Sequence, residues 1–232
     1  MNKNICIALL LTVTLFSCTS KKGDMIVEGT IIGLQKGTLY LQKMQDTLLV
    51  SIDSVRLIGK NTFTLVDQNT EPQFYFLTLL EKEEEKIGFF GEKGTITINT
   101  KLEKFYDSAE INGSKSNDLL NEYNEMIGKF NNKRLDLFKE SFDAQQTKDN
   151  ELIEKIDKDL QRLIKKRYLY TTNFSVNNGK SEVAPYLALT ELFDANISLL
   201  DTVNNSLSNK VKKSIYGQKL ENFIKNIKEN EE

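Results

Sequence analysis

The sequence predicts an α+β protein: an N-terminal antiparallel β-sandwich of about seven strands, followed by a C-terminal helical region. Three observations predict it. Apolar residues alternate with period two, punctuated by Gly, Asn and Asp, from Met25 to about Asp107. From Ser114 onward they recur every three or four residues instead. The apolar run near the N-terminus is too short to span a bilayer, which takes roughly 20 residues of helix.

That run, Ile5 to Phe16, is interrupted only by Thr12 and Thr14 and follows the basic Lys3. It reads as a signal peptide over residues 1–17. It ends in Leu15-Phe16-Ser17-Cys18, which resembles the lipobox of bacterial lipoproteins: an aliphatic residue three before an obligatory Cys and a small residue just before it. The resemblance implies cleavage between Ser17 and Cys18 and lipid attachment at Cys18. Acyl chains bury about 0.8 kcal/mol per methylene, so two or three of them hold a protein at a membrane. Residues 18–24 then form a lipid-anchored tether. Thr19 after the Cys, and Lys21-Lys22 in place of an acidic run, imply a cell-envelope location at the outer membrane, facing the periplasm.

The β-sandwich domain is expected over residues 25–113. Met25 to Ile31 alternates into a turn at Gly33, and Gly37 to Gln42 resumes the pattern, which reads as a hairpin. Further strands are expected at Leu48–Val55, Thr62–Val66, Phe74–Leu80, Ile87–Phe90 and Thr95–Asn99. Glu81 to Lys86 reads as a solvated hairpin loop, and Pro72 just precedes a strand, where its missing N–H does little harm.

The helical region is expected over residues 114–232. Leu119, Tyr123, Met126, Ile127 and Phe130 make a helical stripe with Ser114 or Ser116 as N-cap, and Leu135, Phe138 and Phe142 continue it. A second helix from Asp149 to about Phe174 puts Leu152, Ile156, Leu160, Leu163 and Arg167 on one side, and Glu151/Lys155 and Glu154/Lys158 on the other. Asn177-Asn178-Gly179 ends it. A third helix starts near Ser181 with Pro185 in its first turn. Val211, Ile215, Leu220, Phe223, Ile224 and Ile227 belong to the last helical segments.

Composition excludes much chemistry. Of the two cysteines, Cys6 leaves with the signal peptide and Cys18 becomes a thioether, so the mature chain is expected to carry no thiol. With no histidine, the usual triads and most zinc sites are gone, and no metal site or cofactor is expected. Lys and Arg number 31 against 33 Asp and Glu, a formal net charge of −2, and no basic patch interleaves with aromatics, so nucleic acid is not an expected partner. Gly29, Gly33 and Gly37 lack the strand-to-helix setting of a dinucleotide fingerprint. No catalytic residue is assigned.

The order Val27-Glu28-Gly29-Thr30, Gly37-Thr38-Leu39-Tyr40-Leu41, Ile52-Asp53-Ser54-Val55, Phe63-Thr64-Leu65, Phe89-Phe90, Gly94-Thr95-Ile96-Thr97-Ile98 and Ile111-Asn112-Gly113-Ser114 resembles DUF4369, a domain of unknown function. The stretch Asn173 to Leu189 resembles the helical part that follows it. The resemblance implies the N-terminal part of an envelope lipoprotein, a part commonly followed by a thioredoxin-like or peroxiredoxin-like domain. None of that domain's cysteines is present here. The expectation is a membrane-anchored binding or scaffold module, accessory to a separate thiol-redox protein, with a protein or glycan partner in the envelope.

The alternative is a carboxylate-dependent periplasmic hydrolase, with Asp53, Asp107 and Glu110 as the acids; such chemistry needs two carboxyls roughly 5 to 10 Å apart. Asp53 beside Ser54 reads otherwise as a strand-end or turn residue. Finally, Asp46-Thr47-Leu48, Asp53-Ser54-Val55, Asp107-Ser108-Ala109 and Asp201-Thr202-Val203 resemble the Asp-Ser/Thr-apolar tripeptide glycosylated in some Gram-negative envelopes. Thr47, Ser54, Ser108 and Thr202 are the candidate O-glycosylation residues.

Overall fold

A computed structural model describes residues 23–82 and 84–231. The expected signal peptide, Ser17, Cys18 and nearly all of the tether lie outside the described residues. Among the described residues no helix is long and apolar enough to cross a membrane.

Two mostly antiparallel sheets face each other. The first runs in the order β4 (Thr62–Asp67), β1 (Met25–Ile32), β7 (Gly94–Lys101), β8 (Glu110–Asn112). The second runs β3 (Leu48–Ile58), β2 (Lys36–Gln45), β5 (Gln73–Leu79), β6 (Lys86–Gly91). Period two puts alternate side chains between the sheets. Met25, Val27 and Ile31 of β1 and Ile96 and Ile98 of β7 meet Leu39 and Leu41 of β2 and Tyr75, Leu77 and Leu79 of β5 in one dry core.

Three features of this sandwich differ from what the sequence predicts. The expected hairpin between the first two strands is absent, since β1 and β2 lie in different sheets. Gly33, at φ +90°, turns the chain from one sheet to the other, and buried Leu34 plugs the corner. Alternation reports which side chains face inward, and it is the same whether a strand pairs with its successor or crosses over. The second difference is the parallel pairing of β1 with β7, from Met25↔Gly94 to Ile32↔Lys101. The third is β8, whose three residues are too few to declare a period.

The true hairpin joins β2 and β3 through Asp46-Thr47, with Asp46 in the left-handed region at φ 55°. Gly29 is dictated by close approach: a Cβ there would lie 1.8 Å from the Ile98 carbonyl oxygen on the neighbouring strand.

Ser114 opens the helical region. Its Oγ accepts the Asn117 N–H at 3.0 Å and starts α1 (Lys115–Thr147), which is followed by α2 (Asn150–Asn177), capped by Asp149. Then come α3 (Val183–Glu191), α4 (Ile197–Ser206), a single turn α5 (Asn209–Lys212) and α6 (Ile215–Glu231). The stripe Leu152, Ile156, Leu160 and Leu163 of α2 packs on Leu137 and Ala144 of α1 as expected from its spacing. Of the two expected charge pairs on α2, Glu154–Lys158 forms at 2.6 Å. Arg167, read with the apolar side, pairs with Glu191 of α3 instead.

One stripe does not continue as expected. Leu135, Phe138 and Phe142 are 54%, 51% and 62% exposed. Only the first half of α1 has the sheet and α3 to lean on; farther along, its partner is α2, which takes the opposite side of the helix through Leu137 and Ala144.

Candidate functional site

The helical layer determines which part of the sandwich stays open. On β5 the inward positions are filled by Tyr75, Leu77 and Leu79, yet the outward positions also carry rings, Phe74 and Phe76, so a third layer must cover that face. It does. Phe74 stacks on Tyr186 of α3 with centroids 5.1 Å apart, and Phe90 of β6 meets the same tyrosine edge-on at 5.1 Å. Tyr216 of α6 closes the cluster, 5.3 Å from Tyr186. Burial pushes the phenols of Tyr186 and Tyr216 above their ordinary value. The space between sheet and helices is therefore packed core.

Backbone groups at this junction are also closed. The N–H of Phe90, on edge strand β6, donates to Asn117 Oδ1 at 3.1 Å, and its carbonyl accepts the Ser114 hydroxyl at 2.7 Å. Glu92 accepts the Lys115 N–H at 2.5 Å and the Ser116 hydroxyl at 2.8 Å, which satisfies the first turn of α1 and suits the helix dipole. Edge-strand pairing at Phe90 is thus taken by the helix start.

The helices reach only the β5–β6 side of the sheet, so the outer face of β2 and β3 is left uncovered. Tyr40, Gln42, Leu49, Ser51 and Thr78, with Leu80 and Lys86 at the rim, line a shallow open groove of about 380 Å³ there. Its floor is a fixed polar array. The Thr78 hydroxyl donates to Gln42 Oε1 at 2.7 Å, and Gln42 Nε2 donates to Ser51 Oγ at 3.2 Å. The amide thus links three strands, β5 through Thr78, β2 through Gln42 itself and β3 through Ser51. Lys86 is the one charged side chain among the described lining residues. Such a surface offers a ring face, neutral hydrogen-bonding groups and one cation. It lacks the paired acid and base of a general acid–base site among its described residues.

Tyr40, Gln42, Ser51 and Thr78 were not singled out from the sequence, although a signal was present. Thr38, Gln42, Ser51, Ser54 and Arg56 put polar side chains at outward positions of β2 and β3, where β5 carries Phe74 and Phe76, and this contrast marks an open half beside a covered one.

Asp53 is held at the opposite edge from the other two candidate acids, Asp107 and Glu110. Asp53 is neither at a strand end nor in a turn: it sits within β3, at an irregularity in the β2–β3 register. Its Oδ2 accepts the Val66 N–H of β4 at 3.0 Å, stitching the edges of the two sheets, and its Oδ1 accepts the Ser54 N–H at 2.8 Å. Glu110 is on β8, the opposite edge of the β4-β1-β7-β8 sheet, and Asp107 is in the turn before it. Three strand spacings of about 4.8 Å separate β4 from β8. Among the described residues no group of three or more Asp, Glu, His or Cys is placed to hold a metal ion.

The four Ser/Thr candidates fall in four settings. Thr47 is exposed at the β2–β3 hairpin tip. Ser54 is exposed in β3, directly across from Tyr40. The Ser108 hydroxyl donates to the Lys104 carbonyl at 2.7 Å and accepts the Lys101 N–H at 3.0 Å. Thr202 is exposed on α4, its hydroxyl bonded to the Ser198 carbonyl at 2.7 Å.

Comparison with known families places residues 25–120 in the domain of unknown function DUF4369. The match covers the sandwich and the first turns of α1. No curated protein and no solved structure matches the chain.

Proposed function

We propose that this chain, whose residues 25–120 form a DUF4369 domain, is a lipid-anchored envelope module that binds and positions a partner and does not catalyse a reaction. The observation that carries the reading is the uncovered half of the β3-β2-β5-β6 sheet, where Gln42 is pre-set by Thr78 and Ser51 beside the Tyr40 ring. A fixed amide and a ring cost little entropy on association, which suits recognition of an extended polar ligand such as a protein segment or a glycan. The anchor rests on the Leu15-Phe16-Ser17-Cys18 motif, and Thr19 with Lys21-Lys22 favours the outer membrane, facing the periplasm. A separately encoded thiol-redox protein of the envelope is the partner class favoured by the family resemblance.

A photo-reactive residue at position 40, irradiated in intact envelopes, is expected to capture one envelope protein or glycan reproducibly. Gln42→Ala is expected to abolish that capture while leaving the fold intact. Uniform labelling of many proteins, or capture indifferent to Gln42→Ala, overturns the reading of the groove. For the anchor, Cys18→Ser is expected to release the chain from membranes and to abolish incorporation of labelled palmitate. Continued partitioning of that variant with membranes overturns it.

A further inference from the structure

The groove on the open half of the second sheet crosses all four of its strands. Leu49 and Ser51 come from β3, Tyr40 and Gln42 from β2, Thr78 from β5 and Lys86 from β6. Tyr40 lies across from Thr78, and Thr78 across from Lys86, so the groove runs over the strands rather than along them. It extends over three strand spacings of about 4.8 Å. The backbone beneath is already occupied, since β2 pairs with β3 and β5, and β5 with β2 and β6. Side chains are what remains to recognise a ligand. Gln42 uses Oε1 for Thr78 and one amide N–H for Ser51 Oγ, which leaves its second N–H and the Ser51 hydroxyl proton without partners among the described residues. The Tyr40 hydroxyl and the Lys86 ammonium have none there either.

Hydrogen-bond donors beside an aromatic ring select the occupant. An extended peptide draws its affinity from main-chain pairing at a sheet edge, and here it would cross strands whose N–H and C=O groups are taken. A sugar chain asks for what is present: a ring for its apolar C–H faces, and N–H and O–H donors for its oxygens. Charge narrows the class. Lys86 is the one cation among the described lining residues, and the loop leading to it carries Glu81, Glu84 and Glu85 against Lys82, itself paired with Glu85 at 2.9 Å. A polyanionic glycan would meet that acidic rim, whereas an uncharged carbonyl can accept from Lys86 without repulsion. Leu80, 44% exposed at the same rim, offers apolar surface to a methyl group. A carbonyl and a methyl together make an acetamido substituent. We infer that the groove binds a neutral linear glycan of acetamido sugars: one unit against the Tyr40 ring, hydroxyls on Gln42 and Ser51, and an acetamido carbonyl on Lys86. This rests on the groove being the partner site and names the partner's class.

The test titrates the full chain, in a detergent without sugar headgroups, with the trimers of N-acetylglucosamine, glucose and galacturonic acid, read by calorimetry. The N-acetylglucosamine trimer is expected to bind about tenfold or more tighter than the other two. Gln42→Ala and Tyr40→Ala are each expected to weaken it by about tenfold, the scale of one lost hydrogen bond or ring contact. Lys86→Met is expected to cut the preference for the acetamido trimer over the glucose trimer. None of the three side chains is in the core, and circular dichroism checks that each variant folds. Tighter binding of the galacturonic acid trimer, equal binding of all three, or affinities indifferent to Gln42→Ala and Lys86→Met overturns the inference. No binding of any trimer, while photo-capture from position 40 still depends on Gln42, removes the glycan and leaves the groove as a protein site. Failure of both trimer binding and capture removes the groove itself.

Discussion

The Tyr216 hydroxyl of α6 accepts the backbone N–H of Phe74 in β5 at 3.0 Å, across 142 positions of sequence. Nearby, the Ile215 N–H at the start of the same helix donates to Glu71 Oε1 at 2.8 Å. The last helix is thereby fastened to the sandwich rather than set loosely beside it. Tyr216→Phe keeps the ring and removes the acceptor, leaving a poorly hydrated N–H without a partner. A loss of about 1–3 kcal/mol in urea unfolding is expected. An unchanged midpoint would show that water replaces the phenol at no cost.

The junction at the other end depends on one carboxylate. Glu92→Ala removes the acceptor for the Lys115 N–H and the Ser116 hydroxyl together. Losing a helix cap costs about 0.5–2 kcal/mol, so a lower thermal midpoint is expected, with amide exchange accelerated in the first turn of α1. Exchange rates there equal to those of the unmodified chain would contradict this role.

Gly29 tolerates no side chain. Gly29→Ala would press a methyl group against the Ile98 carbonyl, so β1 and β7 must part or shift. A destabilisation of about 1–3 kcal/mol, the range for overpacking, is expected by chemical denaturation. Gly128→Ala serves as the control, since a Cβ there meets nothing within 4 Å and the helix gains propensity.

Four tyrosines make the fold sensitive to alkali. Burial raises Tyr75, Tyr123, Tyr186 and Tyr216 above the ordinary value of 10.0, and Asp67, which accepts the Tyr75 hydroxyl at 2.7 Å, raises that phenol further. Below pH 10 these phenols are protonated whether the chain is folded or not, and their contribution is fully present. Above it the unfolded chain sheds protons that the folded chain keeps, so stability falls as pH rises. The urea midpoint is expected to hold between pH 7 and 9 from these groups and to drop by pH 11. Tyrosinate absorbance from these four is expected to appear together with unfolding. Complete tyrosine ionisation in a folded chain at pH 11 would contradict it.

The class of the fold was legible because periodicity is a property of faces. Alternation in Met25–Ile31 and three-four spacing in Leu119–Tyr123 each name a buried side, and the structure buries it. Partners were not legible. Nothing in the alternation of β1 says that it pairs with β4 and β7 rather than β2, because those choices bury the same side chains. The same holds for Leu135, Phe138 and Phe142, whose spacing announces an apolar face without saying what covers it. Residues 197–206 carry no helix in the sequence reading; Leu200 and Val203, packed in the helical core, make α4 there. The open groove was written as a contrast of parity between neighbouring strands, a pattern seen only once their order in the sheet is known.

The parallel seam between β1 and β7 sets an order of events in folding. The strand synthesised first lies between two others, and its second neighbour ends only at Lys101, so its ladder stays half made until that stretch has left the ribosome. Closing so long a loop comes late, and sheets dominated by distant pairings fold slowly. A nascent chain halted before Gly94 would present β1 as a raw edge, the form in which strands recruit their own kind into aggregates. Completion of β7 is thus the moment at which β1 ceases to be an open edge.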